Sequence, residues 1–296
     1  MTEKWTSGII AQHRLYLRSF VVLRIPGNKV YSMALDDTTA ASSDAYMQFT
    51  LPDGSTPRVM VSAAKKAVVN SKTYYVFKCN VSAKDMTSEI KAQIIDGADK
   101  GKEFTYSVKD YADYLLAHTQ GNEEYAKAAP LVKAMLNYGA YSQSYFGVGG
   151  TPANAGLDAA DKALGNVTIA EKFKYHDANA ALPDGVTFEG AMLSLKSETT
   201  LSLYFKGLPE NTKFTCGGKE VETAQNGAYV AARIRGIKAN EFENSFTVTF
   251  AGGGSVTYNA MTYCCNVLNS GSEDAALQNV CRALYQYAEA AKAYFG

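Results

Sequence analysis

Apolar and polar residues alternate through the first hundred positions of the chain. Phe20-Val-Val-Leu-Arg-Ile25, Lys29-Val-Tyr-Ser-Met-Ala-Leu35, Ala45-Tyr-Met-Gln-Phe-Thr-Leu51, Arg58-Val-Met-Val-Ser62, Thr73 to Val81 and Glu89 to Ile95 each show a two-residue period. That period marks strands with one face in a core. Pro52-Asp53-Gly54 and Asp96-Gly97 interrupt them as turns. The period then lengthens, and residues 107–117 and 122–145 are predicted to be helices separated by His118-Thr-Gln-Gly-Asn122. Asn122 can cap the longer helix, and Glu123-Glu124 puts charge where the helix dipole favours it.

The second half runs through the same order. Gly190 to Leu195, Thr200 to Phe205, Ala228 to Arg235 and Asn244 to Phe250 read as strands. Helices follow at 259–268 and 273–294, split by Asn269-Ser-Gly-Ser272, with Ser272-Glu-Asp as the expected cap and first-turn acids. The match reaches single residues. Lys133-Ala134…Tyr138…Tyr145-Phe146-Gly147 corresponds to Arg282-Ala283…Tyr287…Tyr294-Phe295-Gly296, with Tyr138 and Tyr287 149 positions apart. Asp85-Met86 and Glu241-Phe242 stand at one place in each half, just before its last strand, and read as a turn whose apolar residue plugs the sheet.

A duplication of this size sets architecture before any single motif does. The expected fold is α+β: two tandem repeats, each an antiparallel β-sandwich followed by a helical hairpin. Repeat 1 spans 19–147 and repeat 2 spans 186–296. Residues 1–18 fit no element. The Gly- and Ala-rich stretch 148–185 is a linker with a short helix near Leu157–Leu164. Tyr138, Tyr145 and Phe146, and their partners Tyr287, Tyr294 and Phe295, are expected to be buried against their own sheets.

Ser107-Val-Lys-Asp-Tyr-Ala-Asp-Tyr-Leu-Leu, Val132-Lys-Ala-Met-Leu-Asn-Tyr-Gly-Ala-Tyr and Tyr145-Phe-Gly resemble an uncharacterised repeat in large secreted or surface proteins of Ruminococcus-like Clostridia of gut and rumen. The likeness covers roughly residues 30–296. It implies an extracellular setting and an accessory role, and it carries no catalytic motif.

Composition narrows the function classes. The 296 residues are 47% hydrophobic and 20% charged, with 29 basic and 29 acidic side chains. A neutral surface gives no electrostatic case for nucleic acid or an anionic membrane, and no apolar run reaches the length of a membrane span. Met1-Thr-Glu-Lys-Trp lacks the order of a signal peptide. The chain is therefore either cytosolic or, as the repeat ending on Gly296 favours, a piece of a longer secreted or cell-surface protein.

Candidate chemistry is sparse. His13, His118 and His176 show no metal spacing, and no Gly-x-Ser-x-Gly elbow is present. Asp96-Gly-Ala-Asp99 lacks the alternating ligands of a calcium loop, and Gly252-Gly-Gly-Ser255 lacks the Lys of a phosphate loop. No cofactor is expected. Cys264 or Cys265 could meet Cys281 across a helix pair, or all five cysteines are small buried apolar groups. Asp110 and Asp113, one helical turn apart, are the carboxylate pair a glycosidase would need; the competing reading is a solvated helix face. Twenty tyrosines against one tryptophan supply rings that pack a core or stack on sugars and proteins. Tyr114 and Tyr141, absent from the second copy, are the candidates for ligand binding. The expected function is a non-catalytic binding, adhesion or spacer module recognising a glycan or a host or bacterial surface protein. A polysaccharide-degrading glycoside hydrolase, or its carbohydrate-binding accessory domain, is the alternative.

Overall fold

Strand pairing begins where the alternation places it. The computed structural model describes residues 28–33, 35, 37–69, 72–165, 167, 173, 182–196, 198–269 and 274–295. The segments expected at 20–25 and 1–18, with His13 and His176, lie outside the described residues. The protein is α+β with antiparallel sheets.

In the first half, β1 (Asn28–Met33) pairs with β5 (Lys72–Asn80), which also pairs with β4 (Lys65–Val69). A second sheet has β2 (Tyr46–Thr50) between β3 (Arg58–Met60) and β6 (Ile90–Asp96). β7 (Asp99–Lys100) and β8 (Phe104–Tyr106) both pair with β6. The Asp96-Gly97 signal is the β6–β7 hairpin: Asp96 faces Asp99, and Gly97 takes the positive φ of 59° that the tight loop needs. Strand β3 is cut short by a 3-10 turn, η1 (Val61–Ala63), which delivers the chain to β4 on the other sheet.

In the second half one sheet runs β15-β14-β11-β12-β13-β10-β9. Its strands are β9 (Thr187–Leu195), β10 (Thr199–Lys206), β11 (Phe214–Cys216), β12 (Lys219–Asn226), β13 (Tyr229–Arg235), β14 (Phe246–Phe250) and β15 (Ser255–Tyr258). Strand β12 belongs to two ladders: residues 219–221 pair with β11 and residues 222–226 with β13. It does in one piece what β3 and β4 do in two. The sheet folds over there, because Phe205 of β10 meets Phe214 of β11 at 5.3 Å and Phe250 of β14 at 5.6 Å. The alternation missed β4, β7, β8, β11, β12 and β15. These are short strands, or a strand that changes partners midway, so no single buried face persists long enough to show a period.

The helices are α1 (Asp37–Ala41), α2 (Val108–Ala117), α3 (Glu123–Tyr145), α4 (Ala159–Lys162), α5 (Ala260–Asn269) and α6 (Ala275–Phe295). Their starts are capped as the residue types dictate. Ser107 and Asp110 form a capping box on α2, and Asn259 Oδ1 accepts from Thr262 N–H at 2.7 Å on α5. Asn122 caps α3 through Tyr125 N–H. On α6 the cap is Asp274, whose Oδ1 accepts from Leu277 N–H at 2.9 Å. Ser272 lies outside the described residues.

Two 3-10 turns, η2 (Ala83–Asp85) and η3 (Ala239–Glu241), precede β6 and β14, and the next residues, Met86 and Phe242, are fully buried. Each anchors a hairpin: Lys109 N–H donates to the Met86 carbonyl at 2.9 Å, and Met261 N–H to the Phe242 carbonyl at 3.3 Å. Met86 also sets how close α3 can come. A Cβ on Gly139 would lie 2.7 Å from Met86 Sδ and 3.1 Å from Ala153 Cβ.

The buried apolar residues form one continuous cluster through both halves. The expected burial of the repeated aromatics holds only in part. Tyr138 and Tyr287 are fully buried, and they stack on one another across the two halves. Tyr145 and Phe146 are 36% and 49% exposed, while Tyr294 and Phe295 are half-buried. These residues stand at the C-terminal ends of α3 and α6.

Candidate binding cleft

Helices α3 and α6 pack side by side and run antiparallel. The direction follows from two contacts: Tyr138 stacks on Tyr287 at mid-helix, and the Lys127 ammonium near the start of α3 lies 5.4 Å over the Tyr294 ring near the end of α6. The contacts are reciprocal. Tyr294 of α6 helps raise the pKa of Tyr111 on α2, and Tyr145 of α3 does the same to Tyr263 on α5; burial is the larger cause in both.

Beside Tyr138 and Tyr287 stand two amides, Asn137 and Gln286. Both reach the same piece of linker. Asn137 Nδ2 donates to the Lys162 carbonyl at 3.3 Å, and Gln286 Nε2 donates to the carbonyls of Ala163 and Leu164 at 3.2 and 2.9 Å. Asn137 Oδ1 accepts from Asn154 Nδ2 at 2.7 Å, and the Tyr141 hydroxyl adds a bond to the Lys162 carbonyl at 3.3 Å. Lys133 pairs with Asp161 at 2.6 Å. The linker that the sequence leaves as a composition break is thus held by side chains from both long helices.

An open cleft of about 420 Å³ lies between α3, α4 and Gln286. Ala126, Ala129, Pro130 and Ala134 form one wall, and Ala160 and Ala163 the other. Pro130 has no N–H to offer the Ala126 carbonyl one turn earlier. Among the described residues that line the cleft, the charged side chains are Lys133 and Asp161, and they pair with each other. Small apolar walls with amide edges suit a neutral ligand or peptide more than an anion.

The structure separates the two tyrosines assigned to binding. Tyr141 is half-buried beside the linker. Tyr114 is half-buried at the other end of the hairpin, stacked on the exposed ring of His118 with centroids 4.0 Å apart and edge-on to Tyr125 at 6.5 Å. Tyr125 and Tyr141 are sixteen residues apart on one helix, or about 24 Å along its axis, so Tyr114 and Tyr141 do not form one face. His118 Nδ1 donates to the Tyr114 carbonyl at 2.7 Å, which fixes the ring against the helix end.

The carboxylate pair is committed to the helix. Asp110 Oδ2 accepts from Ser107 N–H at 2.9 Å, while Ser107 Oγ accepts from Asp110 N–H at 3.0 Å. Asp113 forms an i,i+4 ion pair with Lys109 at 2.8 Å. In the second half, Asn259 and Thr262 do the capping work with amide and hydroxyl groups. Asp96 accepts from Ser42 Oγ at 2.7 Å. Among the described residues no group of three His, Cys, Asp or Glu side chains is placed to hold a metal ion, and no helix is long and apolar enough to cross a membrane.

Asn137, Gln286, Lys133 and Asp161 are the residues that reading the sequence passed over. A signal for two of them existed, since an amide precedes the repeated tyrosine in both Asn137-Tyr138 and Gln286-Tyr287. No family model matches the chain, and no curated protein matches it.

Proposed function

We propose that this chain is a non-catalytic binding or spacer module of a larger secreted or cell-surface bacterial protein. It is built from two tandem units, 19–147 and 186–296, each a β-sandwich with a helical hairpin. One observation carries the reading: corresponding side chains of the two halves meet at the seam, Tyr138 on Tyr287, with Asn137 and Gln286 beside them holding one linker. A duplication folded onto itself in this way invests its repeated residues in packing. The equal use of β3/β4 and β12, and of Met86 and Phe242, supports the same two units.

Recognition falls to the side chains that the packing does not need twice. Tyr114 with His118 offers a stacked pair of rings at the end of α2, suited to the apolar face of a sugar or a protein side chain. Tyr141 lies apart from it, with its hydroxyl on the Lys162 carbonyl of the linker. A glycan array read beside a reducing-sugar assay tests the proposal. The expected result is no hydrolysis of cellulose, xylan, starch or pectin, with any glycan binding lost in Tyr114→Ala. Sugar release that disappears in Asp110→Asn or Asp113→Asn would overturn the non-catalytic reading in favour of a glycoside hydrolase.

A further inference from the structure

Cys79, Cys216, Cys264, Cys265 and Cys281 are all free thiols. Two of them stand apart. The Cys264 thiol on α5 neighbours the Cys281 thiol on α6, and both residues are buried, 0% and 2% exposed. They lie where the two helices of the second hairpin pack together. Tyr138 of α3 and Tyr263 of α5 lie near enough for both sulfurs to add to the rise in each phenol's pKa, of which burial is the main cause. The adjacent Cys265 is engaged elsewhere, its sulfur accepting from Asn269 Nδ2 at 3.2 Å.

We propose that Cys264 and Cys281 are a disulfide site that staples α5 to α6 when the chain folds in an oxidising compartment. The oxidant is a small-molecule disulfide of the glutathione type. One thiolate attacks it, forming a mixed disulfide and releasing one small thiol. The second thiolate then displaces the other small thiol. One S–S bond replaces two S–H bonds, and two electrons and two protons end on the small thiols. The neighbouring Cys281 thiol, followed by burial, raises the Cys264 pKa well above that of an ordinary thiol. The folded pair is therefore a poor nucleophile, and the bond is made while the hairpin is still open. Once made it is shielded from reductants by the same burial. The staple belongs to the second hairpin alone, because Ala112 and Val132 occupy the corresponding buried places in the first. This inference does not depend on the binding function above.

The test is to refold the full chain from urea with oxidised glutathione, alkylate remaining thiols under denaturing conditions, and map the peptides by mass spectrometry. The expected result is a peptide joining Cys264 to Cys281, with Cys79, Cys216 and Cys265 alkylated. A melting temperature about 5 °C above that of the reduced chain should accompany it. Cys264→Ala and Cys281→Val, copied from the first hairpin so that the core stays filled, should each abolish that rise. Recovery of both cysteines as alkylated residues or as separate glutathione adducts would overturn the proposal, as would a Cys265–Cys281 link. The mapping decides the matter on the unsubstituted chain even if a variant folds poorly.

Discussion

Tyr138 of α3 and Tyr287 of α6 lie nearly parallel, with ring centroids 5.8 Å apart and planes 12° off, and neither ring reaches solvent. They are corresponding residues of the two proposed units, 149 positions apart in the sequence. Their hydroxyls have no hydrogen bond of good geometry among the described residues, although Ser142 lies beside Tyr138. The rings therefore stabilise the seam through area and stacking, and the hydroxyls work against it.

Truncation and oxygen removal should separate those two effects. Tyr138→Ala and Tyr287→Ala should each cost about 3–5 kcal/mol in urea unfolding. The double variant should cost less than the sum, because both remove one shared contact. Tyr138→Phe and Tyr287→Phe should be neutral or stabilising, since each deletes a buried hydroxyl with nothing to bond. A loss above about 1 kcal/mol in Tyr138→Phe would mean that its hydroxyl is satisfied after all.

Gly139 tests the close approach of α3 to η2. On propensity alone alanine should favour the helix by about 1 kcal/mol. Here its methyl would press on Met86 Sδ and Ala153, and Met86 is fully buried. Overpacking should win, and Gly139→Ala should destabilise by about 1–2 kcal/mol net. In a Met86→Ala background, itself destabilised by the lost side chain, Gly139→Ala should cost less than it does in the unsubstituted chain, which thermal melts of the single and double variants would reveal. Additive losses would show that the methyl clashes elsewhere.

The helix caps give a small, signed set. Ser107→Ala should cost about 1 kcal/mol by removing half of the capping box. Asp113→Asn, which breaks only a solvent-facing pair with Lys109, should stay within about 0.5 kcal/mol. Circular dichroism during denaturation measures both. A larger effect at Asp113 than at Ser107 would reverse the roles assigned to them.

Alkaline pH should unfold the protein through its tyrosines. Burial, with Asp110 as the next cause, pushes Tyr106 up to about 12, and burial drives Tyr111, Tyr138 and Tyr287 upward as well. In the unfolded chain these phenols ionise near the usual value of about 10. The folded state then holds more protons, so their contribution is intact below pH 10 and stability falls as pH climbs toward the folded values. The urea midpoint should be level from neutral pH to about 9 and drop steeply above 10. Tyr138→Phe should lessen the slope; an unchanged slope would place the titration elsewhere.

The sequence by itself determined the elements with long, unbroken periods. The strands at β5, β6, β10, β13 and β14 and all four hairpin helices fall where alternation or helical spacing puts them, because one face of each is buried along its whole length. It also determined the plug positions at Met86 and Phe242 and the tyrosines that recur. The tertiary structure alone decided what those tyrosines touch. A periodic stripe says that Tyr138 and Tyr287 are inside, but it does not choose between a sheet and a second helix, since both are apolar surfaces of similar shape. The same holds for the candidate site. Tyr114 and Tyr141 look alike as unrepeated rings, yet one lies at the hairpin's turn and the other at the linker, because α3 is long enough to part them. Asn137 and Gln286 acquire a role only when the helices bring two distant amides to one stretch of backbone, and no local pattern records a contact made across 122 residues.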